Sequence, residues 1–95
     1  MIAGENGRYQ LQGPITMANA RALLEQGASL LRDQDALFDF GQVEEVDSAA
    51  VSLMLAWLRE AARQQRQLRF ARLPENLKTL AALYGVLDLI PQQAS

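Results

Sequence analysis

A short apolar strand followed by a long apolar helix decides the fold: ALFDF at residues 36–40 and SAAVSLMLAWLREAARQQ at residues 48–65. The first run is short, apolar apart from Asp39, and ends at Gly41, which is typical of a central strand. The second run is long enough for a helix of several turns. At about 100° per residue, one side of that helix collects most of its apolar residues, and we expect this side to pack on the sheet. These residues are Val51, Met54, Leu55, Leu58, Ala61 and Ala62.

The opposite side of the same helix is uncharged in its first half and charged in its second half. Its second half carries Arg59, Glu60 and Arg63, as a solvated face should. Its first half is uncharged, and contiguous small and apolar residues at an outward position are typical of a surface that binds another protein. The alternative is a helix packed on both sides, with its outer side covered by the C-terminal segment. The outward residues of the first half are Ala49, Ser52, Leu53 and Ala56, bordered by Ala50 and Trp57.

Strands and helices alternate through the rest of the chain. Asn6-Gly7 predicts a hairpin turn between strands at residues 1–4 and 9–12. A helix capped by Thr16 is expected over 17–31, a strand over 67–72, and a last helix after Pro74 that Gly85 terminates. This order predicts a single α/β domain over residues 1–95, with its core at about 8–91. We expect a mixed, mostly parallel sheet of about four strands with an N-terminal hairpin and about three to four helices.

Composition excludes several function classes. The chain has 95 residues, 49% of them hydrophobic, a net charge of −2, and neither cysteine nor histidine. These values argue against a nucleic-acid binder, a thiolate metal site and histidine-based catalysis. No phosphate-binding loop is present, and the only lysine, Lys78, is predicted to be solvated. We therefore expect no enzymatic activity, no cofactor and no metal. The absence of a signal peptide or an apolar span predicts a cytoplasmic location without membrane insertion.

Asp47-Ser48 stands at the start of the long helix. Either residue could be the N-cap that accepts hydrogen bonds from backbone N–H groups. Ser48 is also a candidate regulatory hydroxyl, since a phosphate there would carry about −1.5 to −2 charges beside the helix N-terminus. Both interpretations stay open on the sequence alone.

The stretch VDSAAV at residues 46–51, placed between a strand and a long apolar helix, resembles STAS domains, and the likeness extends from about residue 9 to 91. Residues 76–86, NLKTLAALYGV, and 89–91, LIP, are similar to the end of the MlaB-like STAS subunit of the Mla phospholipid ABC transporter. This resemblance implies a subunit that binds the transporter ATPase in a heteromeric complex with the permease, peripheral to the inner membrane. It also implies that the hydroxyl of Ser48 lies in the ATPase contact.

The predicted partner-binding set combines that implication with the helical wheel. It comprises Asp47, Ser48, Ala49, Ser52, Leu53, Ala56 and Trp57. A second hypothesis is an anti-sigma-factor antagonist regulated by phosphorylation, because these STAS proteins share the Asp-Ser step. Such antagonists follow the acceptor serine with a glycine-containing segment, whereas residues 49–52 of this chain are AAVS.

Overall fold

The computed structural model describes residues 2–93 of the chain. Along the chain, two strands, a helix, a strand, a helix, a strand and a final helix follow one another, as the sequence predicts. A short 3₁₀ turn at Leu87–Leu89 ends the order. The elements are β1 (Ile2–Glu5), β2 (Arg8–Gln12), α1 (Ala20–Leu30), β3 (Ala36–Gln42), α2 (Ser48–Arg63), β4 (Leu68–Ala71) and α3 (Glu75–Leu83).

The four strands form one sheet in the order β1-β2-β3-β4. β1 and β2 are antiparallel, and the turn between them places Asn6 at φ 59° and Gly7 at φ 83°, as an Asn-Gly hairpin requires. β2, β3 and β4 run parallel. The mixed, mostly parallel sheet with an N-terminal hairpin is therefore confirmed.

Both parallel crossovers step in the same direction across the sheet. Since such crossovers are right-handed, α1 and α2 lie on the same face. In β2, β3 and β4, buried residues that face the helices alternate with half-buried or exposed neighbours. Trp57 of α2 packs edge-on against Phe38 of β3, with ring centroids 4.8 Å apart. The strand residues of this core are Tyr9, Leu11, Ala36, Phe38, Phe40, Leu68 and Phe70.

The first helix begins three residues later than the sequence pattern predicts. Thr16 Oγ1 accepts a hydrogen bond from the Ala18 amide at 3.3 Å, and Asn19 Oδ1 accepts one from the Thr16 amide at 3.0 Å. These local side-chain bonds hold residues 16–19 in a turn, so the helix starts at Ala20. Met17, which falls within the predicted helix over 17–31, lies in this turn and is 79% exposed.

Candidate functional site

Asp47 is the N-cap of α2. Its Oδ1 accepts a hydrogen bond from the Ala49 amide at 2.8 Å, and its Oδ2 accepts one from the Met17 amide at 3.1 Å. The carboxylate therefore caps the helix and also holds the turn before α1 against the start of α2. Of the two capping candidates, the structure selects Asp47.

Ser48 is the first residue of α2, and it is exposed. Because Asp47 already caps the helix, the Ser48 hydroxyl is not needed for that task. It makes no hydrogen bond to any residue between 2 and 93. The hydroxyl is thus free to meet a partner or a modifying enzyme.

Three further predicted residues line a groove between α1 and α2. Ser52 is exposed, while Ala49 and Ala56 are half-buried on the same side of α2. The groove has a volume of about 410 Å³. Its lining from α2 is Ser48, Ala49, Ser52, Leu53, Ala56 and Arg59, and its lining from α1 and the preceding turn is Met17, Ala20, Arg21 and Leu24.

The predicted exposure of Leu53 and Trp57 is wrong. Leu53 is 4% exposed and Trp57 is fully buried, with its Nε1 donating to the Leu24 carbonyl at 3.3 Å. Ala50, which was expected to border the surface, is also fully buried. The physical reason is that α2 packs on both the sheet and α1, so its buried arc is wider than a single apolar face. Of Leu53 and Trp57, only Leu53 lines the groove, where it forms part of the floor.

The helix is therefore packed on two sides, as the alternative interpretation expected, but the covering element differs. The indole of Trp57 lies against Gly27 of α1, where any Cβ would collide with the ring. The cover is α1, rather than the C-terminal segment. What remains open on α2 is a narrower strip of short side chains along the groove.

Met17 is the surface residue that the sequence pattern missed. It stands at the mouth of the groove, and its exposure follows from the late start of α1. Three other large apolar residues are exposed at the opposite end of the chain: Leu83, Tyr84 and Leu89. The signal for Met17 was the pair Thr16 and Asn19 around it, whose side chains can bond the local backbone and so favour a turn over a helix.

The open face of the sheet carries an ion pair between Arg72 and Asp39. Arg72 Nη2 lies 2.7 Å from Asp39 Oδ2, and the Gly41 amide donates to Asp39 Oδ1 at 2.8 Å. The hydrogen bond from Arg72 is the main cause that holds the pKa of Asp39 below its ordinary value. This explains how a carboxylate is accommodated in the central strand. Within residues 2–93, no three acidic side chains cluster closely enough to hold a metal ion.

Three solved structures illustrate the proteins to which this fold is similar. The anti-sigma factor antagonist SpoIIAA in its unphosphorylated form superposes with a TM-score of 0.76 at 11% identity, covering all of this chain and 88% of that one. A proposed anti-sigma factor antagonist from Thermotoga maritima gives 0.79 at 11% identity, with 100% and 86% covered. The phosphorylated form of the Bacillus cell fate determinant SpoIIAA gives 0.71 at 11% identity, with 100% and 91% covered. At this identity the likeness concerns the fold.

No protein of curated function matches the sequence significantly. None of the helices in the described part of the chain combines the length and apolarity that crossing a bilayer requires. A family model described as "Mlab, STAS domain" matches residues 2–91, which is nearly the whole chain. With this match and the four-stranded mixed sheet, the chain belongs to the STAS domain family.

Proposed function

We propose that this chain is a non-enzymatic STAS subunit that binds and supports the ATPase of an ABC transporter moving phospholipids between the inner and outer membranes. The observation that carries the proposal is the match of residues 2–91 to the family described as "Mlab, STAS domain". The resemblance of residues 76–91 to the end of that subunit agrees with it. In this role the domain contributes to lipid asymmetry and reaches the inner membrane from the cytoplasm through its partner.

The start of α2 suits a close protein contact. Asp47 fixes the first turn, which leaves the Ser48 hydroxyl without a structural task. Ser52 and Ala56 are short, so a partner can approach the helix backbone closely at these positions. Since α1 already covers Leu53 and Trp57, the contact surface is the groove and its rim rather than a broad apolar helix face.

A phosphorylation-gated antagonist is the second candidate, and two observations favour it. Anti-sigma factor antagonists share the fold, and Ser48 is exposed at the start of a helix. Against it stands the segment after Ser48, which is helical and has no glycine. Ala50 and Val51 of that segment are buried, so a kinase could not reshape it without opening the core.

Co-expression separates the two candidates. The full chain would be co-expressed with the phospholipid-transporter ATPase from its own organism and, separately, with a serine-kinase-like anti-sigma factor. We expect co-elution with the ATPase in size-exclusion chromatography. Co-elution with the kinase-like factor alone, together with a phosphate on Ser48 by mass spectrometry, would establish the antagonist instead.

A pair of tyrosine variants tests the surface. Ser52→Tyr places a bulky uncharged side chain in the groove and should abolish co-elution with the ATPase. Ala62→Tyr makes a comparable change at an exposed position in the second half of α2 and should leave co-elution intact. Both variants should melt close to the unmodified protein, because neither position is buried. Loss of binding in both, or in neither, would contradict the groove as the contact surface.

A further inference from the structure

The groove between α1 and α2 combines an apolar floor with two arginines. Leu24, Leu53 and Ala56 supply apolar lining, while Arg21 of α1 and Arg59 of α2 stand on opposite walls. Met17 adds an exposed apolar side chain at the mouth. The groove therefore offers one apolar contact region with a cation on each side.

Neither groove arginine has a partner within the described chain. Arg21 and Arg59 are exposed, and their side chains make no hydrogen bond or ion pair with any residue between 2 and 93. Other arginines are engaged: Arg63 pairs with Glu60 at 2.7 Å, and Arg72 pairs with Asp39 at 2.7 Å. The two groove arginines thus keep their hydrogen-bond donors available.

The charge of the groove is opposite to that of the whole chain. The chain carries 9 basic and 11 acidic residues, for a net charge of −2. None of the residues that line the groove is acidic, and two are arginines. Glu25 and Glu60 line the adjoining groove, which also includes Arg59. Of these two carboxylates, Glu60 is already bonded to Arg63 and Gln64. The positive charge at this site is therefore local.

We infer that the groove receives a segment of the transporter ATPase that presents an apolar side chain flanked by carboxylates. This inference rests on the proposed function and specifies the chemistry of its partner. The apolar side chain would lie on Leu53 and Ala56, and the carboxylates would accept hydrogen bonds from Arg21 and Arg59. Arginine suits this role because its planar guanidinium pairs with a carboxylate through two parallel hydrogen bonds.

A charge-reversal pair tests the inference on the full chain. The ATPase subunit is the probe, and its affinity is measured by biolayer interferometry. Arg21→Glu combined with Arg59→Glu should weaken binding by at least about tenfold, since close charge pairs at interfaces commonly couple that strongly. The matched control is Arg32→Glu combined with Arg69→Glu, which changes the net charge equally at exposed positions outside the groove. We expect less than about threefold weakening for the control, as for rim charges in general.

The outcomes separate this inference from the proposed function. Equal weakening of binding by both pairs would show an effect of net charge. Unchanged or tighter binding by the groove pair would show that the partner segment is not acidic. Either result would overturn this inference and leave the proposed function standing. If the unmodified chain does not bind the ATPase, the proposed function fails first. Should the reversed pair unfold, Arg21→Gln with Arg59→Gln keeps the test valid, because it removes the charge without adding carboxylates.

Discussion

The two halves of α2 share one exposed stripe and use it differently. In the first half the stripe holds Ser48, Ser52 and Ala56, which are short, uncharged and lie along the groove beside α1. In the second half it holds Arg63, whose guanidinium bonds to Glu60 on the same helix. The comparison teaches that charge on this helix is paired locally at Arg63, whereas Arg59, where the stripe meets the groove, has no side-chain partner between residues 2 and 93 and is left for another chain.

The largest expected effect on stability tests the boundary between the exposed stripe and the buried side of α2. Leu53→Asp should destabilise the isolated domain by more than about 3 kcal/mol, because it removes a buried side chain and places a carboxylate beneath α1. Ser52→Asp, one residue earlier and exposed, should change stability by less than about 1 kcal/mol. Urea denaturation of both variants measures the difference. A stable Leu53→Asp variant would place this leucine back on the surface.

A smaller effect separates the two residues at the helix start. Asp47→Ala should cost about 1–2 kcal/mol, because it removes the cap on Ala49 and the bond to the Met17 amide. Ser48→Ala should cost less than about 0.5 kcal/mol, since its hydroxyl is unbonded within residues 2–93. Urea denaturation is again the measurement. If the two losses were equal, Asp47 would not be the principal cap.

The smallest effect concerns the charged half of the stripe. A hydrogen bond from Arg63 is the main cause that holds the pKa of Glu60 below its ordinary value, and a hydrogen bond from Gln64 adds to it. This stabilisation is present above the unfolded-state pKa and is lost as the pH falls through the lower folded-state pKa. Arg63→Ala should move the pKa of Glu60 up towards its ordinary value in an NMR titration of the side-chain carboxyl. Asp39, whose partner is Arg72, is the internal control and should titrate as before.

The fold follows from local patterns that the sequence states clearly. Asn6-Gly7 specifies the hairpin turn, and alternation around Leu68 and Phe70 indicates a strand with one covered face. Gly85 adopts φ 72° just after α3, as a helix-ending glycine does. These signals act over a few residues, which is why the element order was predictable.

The site was predictable only in part, because it depends on how two helices meet. A helical wheel divides α2 into an inner and an outer side, and it therefore placed Leu53 and Trp57 outside. The contact with α1 adds a second buried side that no periodicity within α2 contains. For the same reason, Arg21 and Arg59 had no distinguishing sequence signal, since their opposition across the groove arises from helix packing.

Gly27 has a consequence for how this surface can change over time. A glycine within a helix costs about 1 kcal/mol relative to alanine, yet here it allows α1 to rest directly on the Trp57 indole. The spacing of the two helices is thus set from behind the groove, by a residue outside its lining. A substitution at Gly27 would therefore change the distance between α1 and α2, and with it the width of the groove. Binding specificity can consequently change while every residue that contacts the partner stays the same.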